Sequence, residues 1–175
     1  MVRTAPHSRF ITIGCGNALR SDDATGIHIA STVASWQLPH VRSLAVPRWM
    51  PELVDDLRGI ETAIFIRASA REHAQLRGVC LSSLSATSPS QTEESWNEVR
   101  SLLAVTKSLY GCAPQAWCLA VPGANFEAGS RLTSLAEKGI EDSLSCLQVL
   151  LAAPIIMLST QPRNKSDCTH HGESA

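Results

Sequence analysis

Residues 10–26 have the sequence FITIGCGNALRSDDATG, and this stretch decides the fold. Its first five residues form a short, β-rich apolar run that ends in glycine, which is typical of a buried strand followed by a tight turn. Asp22 and Asp23 then precede apolar residues at helical spacing, and acids favour the positive N-terminal end of a helix. The stretch therefore predicts a strand, a loop and a helix that extends from about residue 23 to residue 36.

The same alternation of strand and helix continues along the chain. Apolar runs and amphipathic spacing predict strands over 41–46, 62–66, 78–84 (at a sheet edge) and 116–121, and helices over 51–57, 95–109 and 132–151. Pro122 and Gly123 are interpreted as a turn. Such alternation predicts an α/β fold with three layers, in which helices cover both faces of a mostly parallel sheet. We expect one domain over residues 1–159 and a disordered tail over 160–175.

The composition is that of an ordinary soluble globular protein. Hydrophobic residues make up 44% of the 175 residues, charged residues make up 18%, and the formal net charge is −1. No basic block is present that would attract nucleic acid or an anionic membrane. The longest apolar run, residues 147–158, contains Pro154 and is shorter than the roughly 20 residues of a membrane-spanning helix. We therefore expect a cytoplasmic protein that contacts neither nucleic acid nor membrane, and its six cysteines, without a CxxC pair, are expected to be reduced.

Two loops are candidates for a functional site, because ligands of parallel α/β sheets bind beyond the carboxyl ends of the strands. They are residues 14–23 and 67–72, after the first and third predicted strands. The glycines at the start of the first loop suggest a dinucleotide-binding turn, but Leu19 occupies the place of the third glycine, and two carboxylates would repel a pyrophosphate. The simpler interpretation is a tight turn between strand and helix. Whichever of Asp22 and Asp23 does not face the cleft is interpreted as a helix N-cap.

The full stretch from residue 14 to residue 26 resembles the signature of the hydrogenase maturation endopeptidases, GxGNxLxxD(D/E)xxG, at every fixed position. These positions are Gly14, Gly16, Asn17, Leu19, Asp22, Asp23 and Gly26. The resemblance continues in register through Pro51-Glu-Leu53, the strand at 63–66, Leu109-Tyr-Gly111 and the segment 116–122. It covers roughly residues 10–151 and implies the phosphorylase/hydrolase-like fold of these proteases.

The resemblance implies an endopeptidase that removes a C-terminal extension from the large subunit of a nickel-iron hydrogenase. Such enzymes hold no catalytic metal firmly and recognise the nickel of their substrate through three residues. The first, an acid in the first loop, corresponds to Asp23. The second, an aspartate after the third strand, corresponds to Arg67, and the third, a histidine in a later loop, corresponds to Ser90 or, by a second alignment, Ser95. Because an arginine keeps its positive charge, the resemblance implies weak nickel binding here.

Other residues near these loops have plainer explanations. Cys15, His28 and His73 are near enough to the two loops in the sequence to be considered as replacement metal ligands. Cys15 is instead interpreted as a small buried side chain, and the two histidines as solvated surface residues. The tail sequence Cys168-Thr-His170-His171 has no second ligand pair, and we regard it as incidental.

Three functional hypotheses remain open. The first is a maturation protease of reduced activity whose partner is a hydrogenase large subunit. The second is a non-catalytic binding module for the same or a related partner, in which Arg67 and Asp23 form an ion pair across the former metal cleft. The third is a small-molecule enzyme on a flavodoxin-like scaffold, which the acidic first loop disfavours.

Overall fold

The computed structural model describes residues 9–70, 78–84 and 96–152. Their elements, in chain order, are β1 (Phe10–Cys15), α1 (Thr25–Ser35), β2 (Val41–Val46), α2 (Leu53–Asp56), β3 (Thr62–Ala70), β4 (Cys80–Leu84), α3 (Asn97–Tyr110), β5 (Gln115–Gly123) and α4 (Ser134–Ala152). A short 3-10 helix, Ser21–Ala24, comes directly before α1. The tail predicted to be disordered lies outside the described residues.

The five strands form one sheet in the order β2-β1-β3-β5-β4. Strands β2, β1, β3 and β5 are parallel, and β4 pairs antiparallel with β5. Strand β4 lies at the edge of the sheet, as predicted. Helices α1 and α4 pack on one face of the sheet, and α2 and α3 pack on the other. The structure therefore confirms the three-layer α/β fold with a mostly parallel sheet.

The alternation of side chains along the strands divides the core into two layers. Ile11, Ile13 and Phe65 belong to the cluster on the side of α2 and α3. Ile64 and Ile66 belong to the cluster on the side of α1 and α4. All five side chains are buried, and burying a side chain of this size contributes about 1.5–3 kcal/mol. No helix in the described part of the chain is both long enough and apolar enough to cross a membrane.

Two glycines of the motif, one in β1 and one in α1, allow these two elements to touch backbone to backbone. A Cβ added at Gly14 would lie 1.9 Å from the carbonyl oxygen of Gly26, and one added at Gly26 would lie 2.4 Å from the carbonyl oxygen of Cys15. Real Cβ atoms do not approach other atoms so closely. The glycine spacing of the motif is therefore required by the packing of α1 on the end of β1.

Two predicted boundaries were wrong at the carboxyl end of the sheet. Strand β3 continues beyond residue 66 to Ala70, so Arg67 is a strand residue rather than a loop residue. Strand β5 includes Pro122 and Gly123, which had been interpreted as a turn. The two extensions pair with each other in register, because Ser69 lies opposite Pro122. Proline is tolerated there because the pairing of β4 with β5 ends at Ala120, and no other strand in the described ranges pairs with that side of β5.

Candidate functional site

A row of side chains crosses the sheet near the carboxyl ends of its parallel strands. Cys15 lies opposite Arg67 in the pairing of β1 with β3, and Arg67 lies opposite Ala120 in the pairing of β3 with β5. Paired residues of neighbouring strands point to the same face of a sheet, and Cys15 and Ala120 both pack on the α2 and α3 side. We call the three residues the edge row. It places the position of the expected second metal ligand, Arg67, beside β1.

Arg67 is held over an aromatic ring at the start of α3. Its guanidinium carbon lies 5.8 Å from the ring centroid of Trp96, and its Nε donates to the carbonyl oxygen of Ala68 at 3.4 Å. Trp96 is buried and packs against Trp49 with 6.2 Å between ring centroids. Cation–π contacts of this kind contribute about 0.5–2 kcal/mol. The guanidinium is therefore supported by Trp96, which is itself held by its packing against Trp49.

Cys15 lies between the charged groups of the site. The pKa of this half-buried thiol is raised to about 11: burial is the largest cause, the carboxylates of Asp23 and Glu98 raise it too, and the positive charge of Arg67 lowers it in part. Arg67 lies opposite Cys15 in the sheet, and Asp23 is also near enough to this thiol for its charge to affect the pKa, so the two charged residues lie in the same part of the molecule. The thiol is protonated at neutral pH, which makes it a poor nucleophile and a poor metal ligand.

Asp23 is bound by its own loop. Its Oδ2 accepts a hydrogen bond of 3.0 Å from the backbone N–H of Asn17, and the side-chain Oδ1 of Asn17 accepts one of 2.9 Å from the N–H of Leu19. The residue is half-buried in the 3-10 helix before α1. Among the described residues no ion pair joins Asp23 to Arg67, so the ion pair of the binding-module hypothesis is not formed.

Asp22 has a role that the sequence did not predict. It is fully buried, and its carboxylate accepts hydrogen bonds from the N–H groups of Ala124 (2.7 Å), Asn125 (3.0 Å) and Thr133 (2.7 Å) and from the hydroxyl of Thr133 (2.7 Å). The N-cap interpretation was therefore wrong for Asp22, because its carboxylate bonds to a distant loop rather than to its own helix. Burial alone would raise the pKa of this carboxyl, but the four hydrogen bonds outweigh it and lower the pKa.

The loop that Asp22 contacts, residues 124–133, joins β5 to α4 and was also missed. Its backbone bonds directly to the first loop: Ser21 N–H donates to the carbonyl oxygen of Gly129 at 2.7 Å, and Gly129 N–H donates to the carbonyl oxygen of Leu19 at 2.9 Å. The Nε of Arg20 donates to the carbonyl oxygen of Phe126 at 3.1 Å. We call this hydrogen-bonded junction between residues 19–22 and 124–133 the clamp. In the sequence, the acid at Asp22 was the one available signal of the clamp, and it does not reveal that the partner is the loop 124–133.

The described donors do not fit a firmly held divalent cation. No three His, Cys, Asp or Glu side chains converge in the described ranges. Asp23 is accompanied by a protonated thiol and a guanidinium, and His28 is exposed on α1. Ser90, Ser95, His73 and the tail residues Cys168, His170 and His171 lie outside the described residues. Weak nickel binding therefore stays a prediction.

The architecture is that of the hydrogenase maturation proteases. The hydrogenase maturating endopeptidase HybD from E. coli superposes with a TM-score of 0.65 and 19% identity, over 82% of this chain and 92% of that one. HybD from Thermococcus kodakarensis gives a TM-score of 0.63 and 15% identity, over 82% and 99% of the two chains. The protease HycI from the same organism gives 0.62 and 16%, over 85% and 96%.

These likenesses establish the fold that the chain shares with these proteases. No protein-family model matches the sequence, and no curated protein matches it either.

Proposed function

We propose that the chain is a divergent hydrogenase maturation endopeptidase that binds a nickel-iron hydrogenase large subunit and processes its C-terminus with reduced activity. The observation that carries this proposal is the position of Asp23. The motif glycines seat α1 on the end of β1, the loop backbone holds the Asp23 carboxylate, and Asp23 and Arg67 act on the same thiol at the carboxyl end of the sheet. The acid that such proteases use to recognise substrate nickel would stand at this place.

The reduction in activity follows from Arg67. A guanidinium at a distance of about 6 Å from a divalent ion would repel it by roughly 5 kcal/mol at an effective dielectric constant of about 20. The edge row offers no carboxylate in exchange, since its other members are Cys15 and Ala120. We therefore expect the isolated protein to bind nickel or zinc weakly, and titration calorimetry that gave sub-micromolar stoichiometric binding lost in Asp23→Ala would contradict this.

A non-catalytic binding module is the second candidate function. The observation that favours it is the fixed position of Arg67 over Trp96. A permanent positive charge there would take the place of the nickel, so that the chain would bind its partner irrespective of metal loading. In that case binding would persist without cleavage.

The deciding experiment is a processing assay on a nickel-loaded hydrogenase large-subunit precursor, with cleavage followed as a mobility shift and binding measured in parallel. We expect weak cleavage by the natural protein, none by Asp23→Ala, and stronger cleavage by the double variant Arg67→Asp/Ser90→His. Asp142→Asn, on the exposed side of α4, is the matched control.

Each outcome of this assay has one meaning. Binding without cleavage by any variant selects the binding module. Robust cleavage by the natural protein that depends on Asp23 shows that the altered ligands support full activity. Absence of both binding and cleavage, also in the double variant, rejects the proposed partner.

A further inference from the structure

We propose that Asp22 and Thr133 are positioning residues of the site, and that the clamp they form holds the carboxylate of Asp23 in place. This inference rests on the proposed function, because Asp23 is the residue assigned there to substrate recognition. Neither Asp22 nor Thr133 is a member of the edge row.

Asp22 is the centre of the clamp because both oxygens of its carboxylate are engaged. Oδ1 accepts from the N–H of Thr133, while Oδ2 accepts from Ala124, Asn125 and the Thr133 hydroxyl, all at 2.7–3.0 Å. A buried carboxylate with this many donors has one geometry, because moving it would leave a charge without hydrogen bonds in a water-excluded place. The backbone N–H of Asp22 also donates to the carbonyl oxygen of Asn125 at 3.0 Å. The residue is thus fixed from both its side chain and its backbone.

Asp23 is the next residue of the same 3-10 helix, so its backbone is fixed together with that of Asp22. Its N–H donates to the carbonyl oxygen of Arg20 at 3.0 Å, and its carbonyl group lies so close to Gly16 that a Cβ there would be 1.8 Å from the Asp23 oxygen. Such tight backbone contacts leave its carboxylate little freedom. It reaches the N–H of Asn17 only while the turn keeps its place.

Thr133 connects the clamp to α4. Its hydroxyl accepts a hydrogen bond of 3.3 Å from the N–H of Ala136, as the N-cap of a helix does, and donates to Asp22 Oδ2. The same hydroxyl therefore caps the start of the 19-residue helix α4 and bonds to Asp22 in the first loop. Removing it alone leaves the N–H of Thr133 on Asp22 Oδ1, so the fold should survive and the effect on Asp23 can be measured.

The amide of Asn17 reports on Asp23 without any partner. Asn17 is exposed, and its N–H donates to the Asp23 carboxylate, so its hydrogen exchange measures whether that carboxylate is in place. We expect Thr133→Val to accelerate exchange of the Asn17 amide by roughly fivefold or more, the effect of losing about one hydrogen bond. Thr133→Ser, which keeps the hydroxyl, should exchange like the natural protein, and Asp23→Ala sets the upper limit.

The buried amide of Ile13 distinguishes positioning from general stability. If Thr133 were only structural, Thr133→Val would accelerate Ile13 and Asn17 in the same proportion, and that result would overturn the inference. Unchanged exchange of Asn17 in Thr133→Val would overturn it as well. A selective effect at Asn17 that Thr133→Ser abolishes supports it.

Binding of the full chain to the nickel-loaded precursor then tests the functional consequence. Thr133→Val should weaken binding in the natural background and have no further effect in Asp23→Ala, because the threonine acts through Asp23. An equal loss in both backgrounds would overturn the inference. If the natural protein does not bind the precursor at all, the proposed function fails, while the Asn17 measurement still decides whether Asp22 and Thr133 position Asp23.

Discussion

The clamp contains residues of the first loop and the edge row contains residues of the neighbouring strand ends, and the two regions differ in how completely they are built. In the clamp, the Asp22 carboxylate receives four hydrogen bonds, and backbone groups of two loops bond to each other. In the edge row, a guanidinium and a protonated thiol occupy the strand side of the site. The comparison teaches that the shape of the first loop and the chemistry next to it are separable, because different residues determine each of them.

The largest expected effect lies in the glycines that bring the first loop to the sheet. In Gly26→Ala the new methyl group would lie 2.4 Å from the carbonyl oxygen of Cys15 and 2.8 Å from that of Ile66. Both neighbours are backbone atoms of paired strands, which cannot yield cheaply, so we expect a loss of about 3 kcal/mol in the free energy of unfolding.

Chemical denaturation measures this loss, and the matched control is Gly78→Ala, where an added Cβ meets nothing within 4 Å. Equal stability of the two variants would mean that α1 does not pack on β1 as described.

The second effect concerns the clamp and its dependence on pH. Asp22→Asn removes a charge that accepts four hydrogen bonds and leaves buried donors poorly paired, so we expect a loss of about 2 kcal/mol at pH 7. The hydrogen bonds lower the pKa of Asp22 in the folded protein. Its contribution is therefore complete above the unfolded value of about 3.9 and is lost as the pH falls through the lowered folded value.

Denaturation curves between pH 7 and pH 2 check this sign. The difference in stability between the natural protein and Asp22→Asn should be constant above about pH 5 and shrink in acid. Asp142→Asn, which loses only an exposed pair with Lys138 at 3.4 Å, should differ from the natural protein by no more than about 0.5 kcal/mol. A difference for Asp22→Asn that grows in acid would contradict the assignment.

The sequence predicted the framework of the site better than its contacts. The apolar runs predicted the strands, and the two strands that precede the candidate loops are indeed neighbours, with Gly14 opposite Ile66 in the register of β1 and β3. The end of β3 was missed because Arg67 and Ser69 interrupt the apolar run. Ala68 between them is buried, which shows that the strand continues with one covered face, and two polar residues are too few to reveal that alternation.

The clamp was beyond prediction for a different reason. Asp22 and Thr133 are separated by 111 positions, and hydrophobic periodicity describes local elements without telling which polar groups of two loops meet. Asp22 and Asp23 are adjacent in the motif, yet their side chains bond to different partners. Asp22 bonds to a distant loop, and Asp23 bonds to the backbone of Asn17 in its own loop. Only the three-dimensional path of the chain separates their roles.

A smaller effect is expected in the edge row. The pKa of Cys15 is raised to about 11, chiefly by burial, and this value already includes a lowering by the positive charge of Arg67. Arg67→Gln removes this lowering, so the pKa should rise further and alkylation of Cys15 at pH 9 should become slower than in the natural protein. Peptide mass spectrometry measures the rate at this residue alone.

Arg58→Gln is the control for Cys15, because Arg58 lies over the Tyr110 ring, 5.2 Å from its centroid, and does not act on the thiol. If alkylation became faster in Arg67→Gln, the arginine would protect Cys15 by covering it rather than disfavour its protonated form by charge. The edge row would then be defined by packing and not by electrostatics.

The smallest effect is expected for the side chain of Leu19, which can be compared with the hydrogen bonds of its backbone. The side chain of Leu19 is 74% exposed, whereas its N–H donates to Asn17 Oδ1 and its carbonyl oxygen accepts from Gly129 N–H. The clamp thus uses the backbone of this residue and not its side chain.

We expect Leu19→Ser to change the free energy of unfolding by less than about 0.5 kcal/mol. Asn17→Ala removes the acceptor of the Leu19 N–H and should cost about 1 kcal/mol. Thermal unfolding of the two variants under identical conditions provides the measurement. If Leu19→Ser proved the more destabilising, the loop would depend on an apolar contact of the Leu19 side chain, and the hydrogen bond from Leu19 N–H to Asn17 would not be what gives the loop its shape.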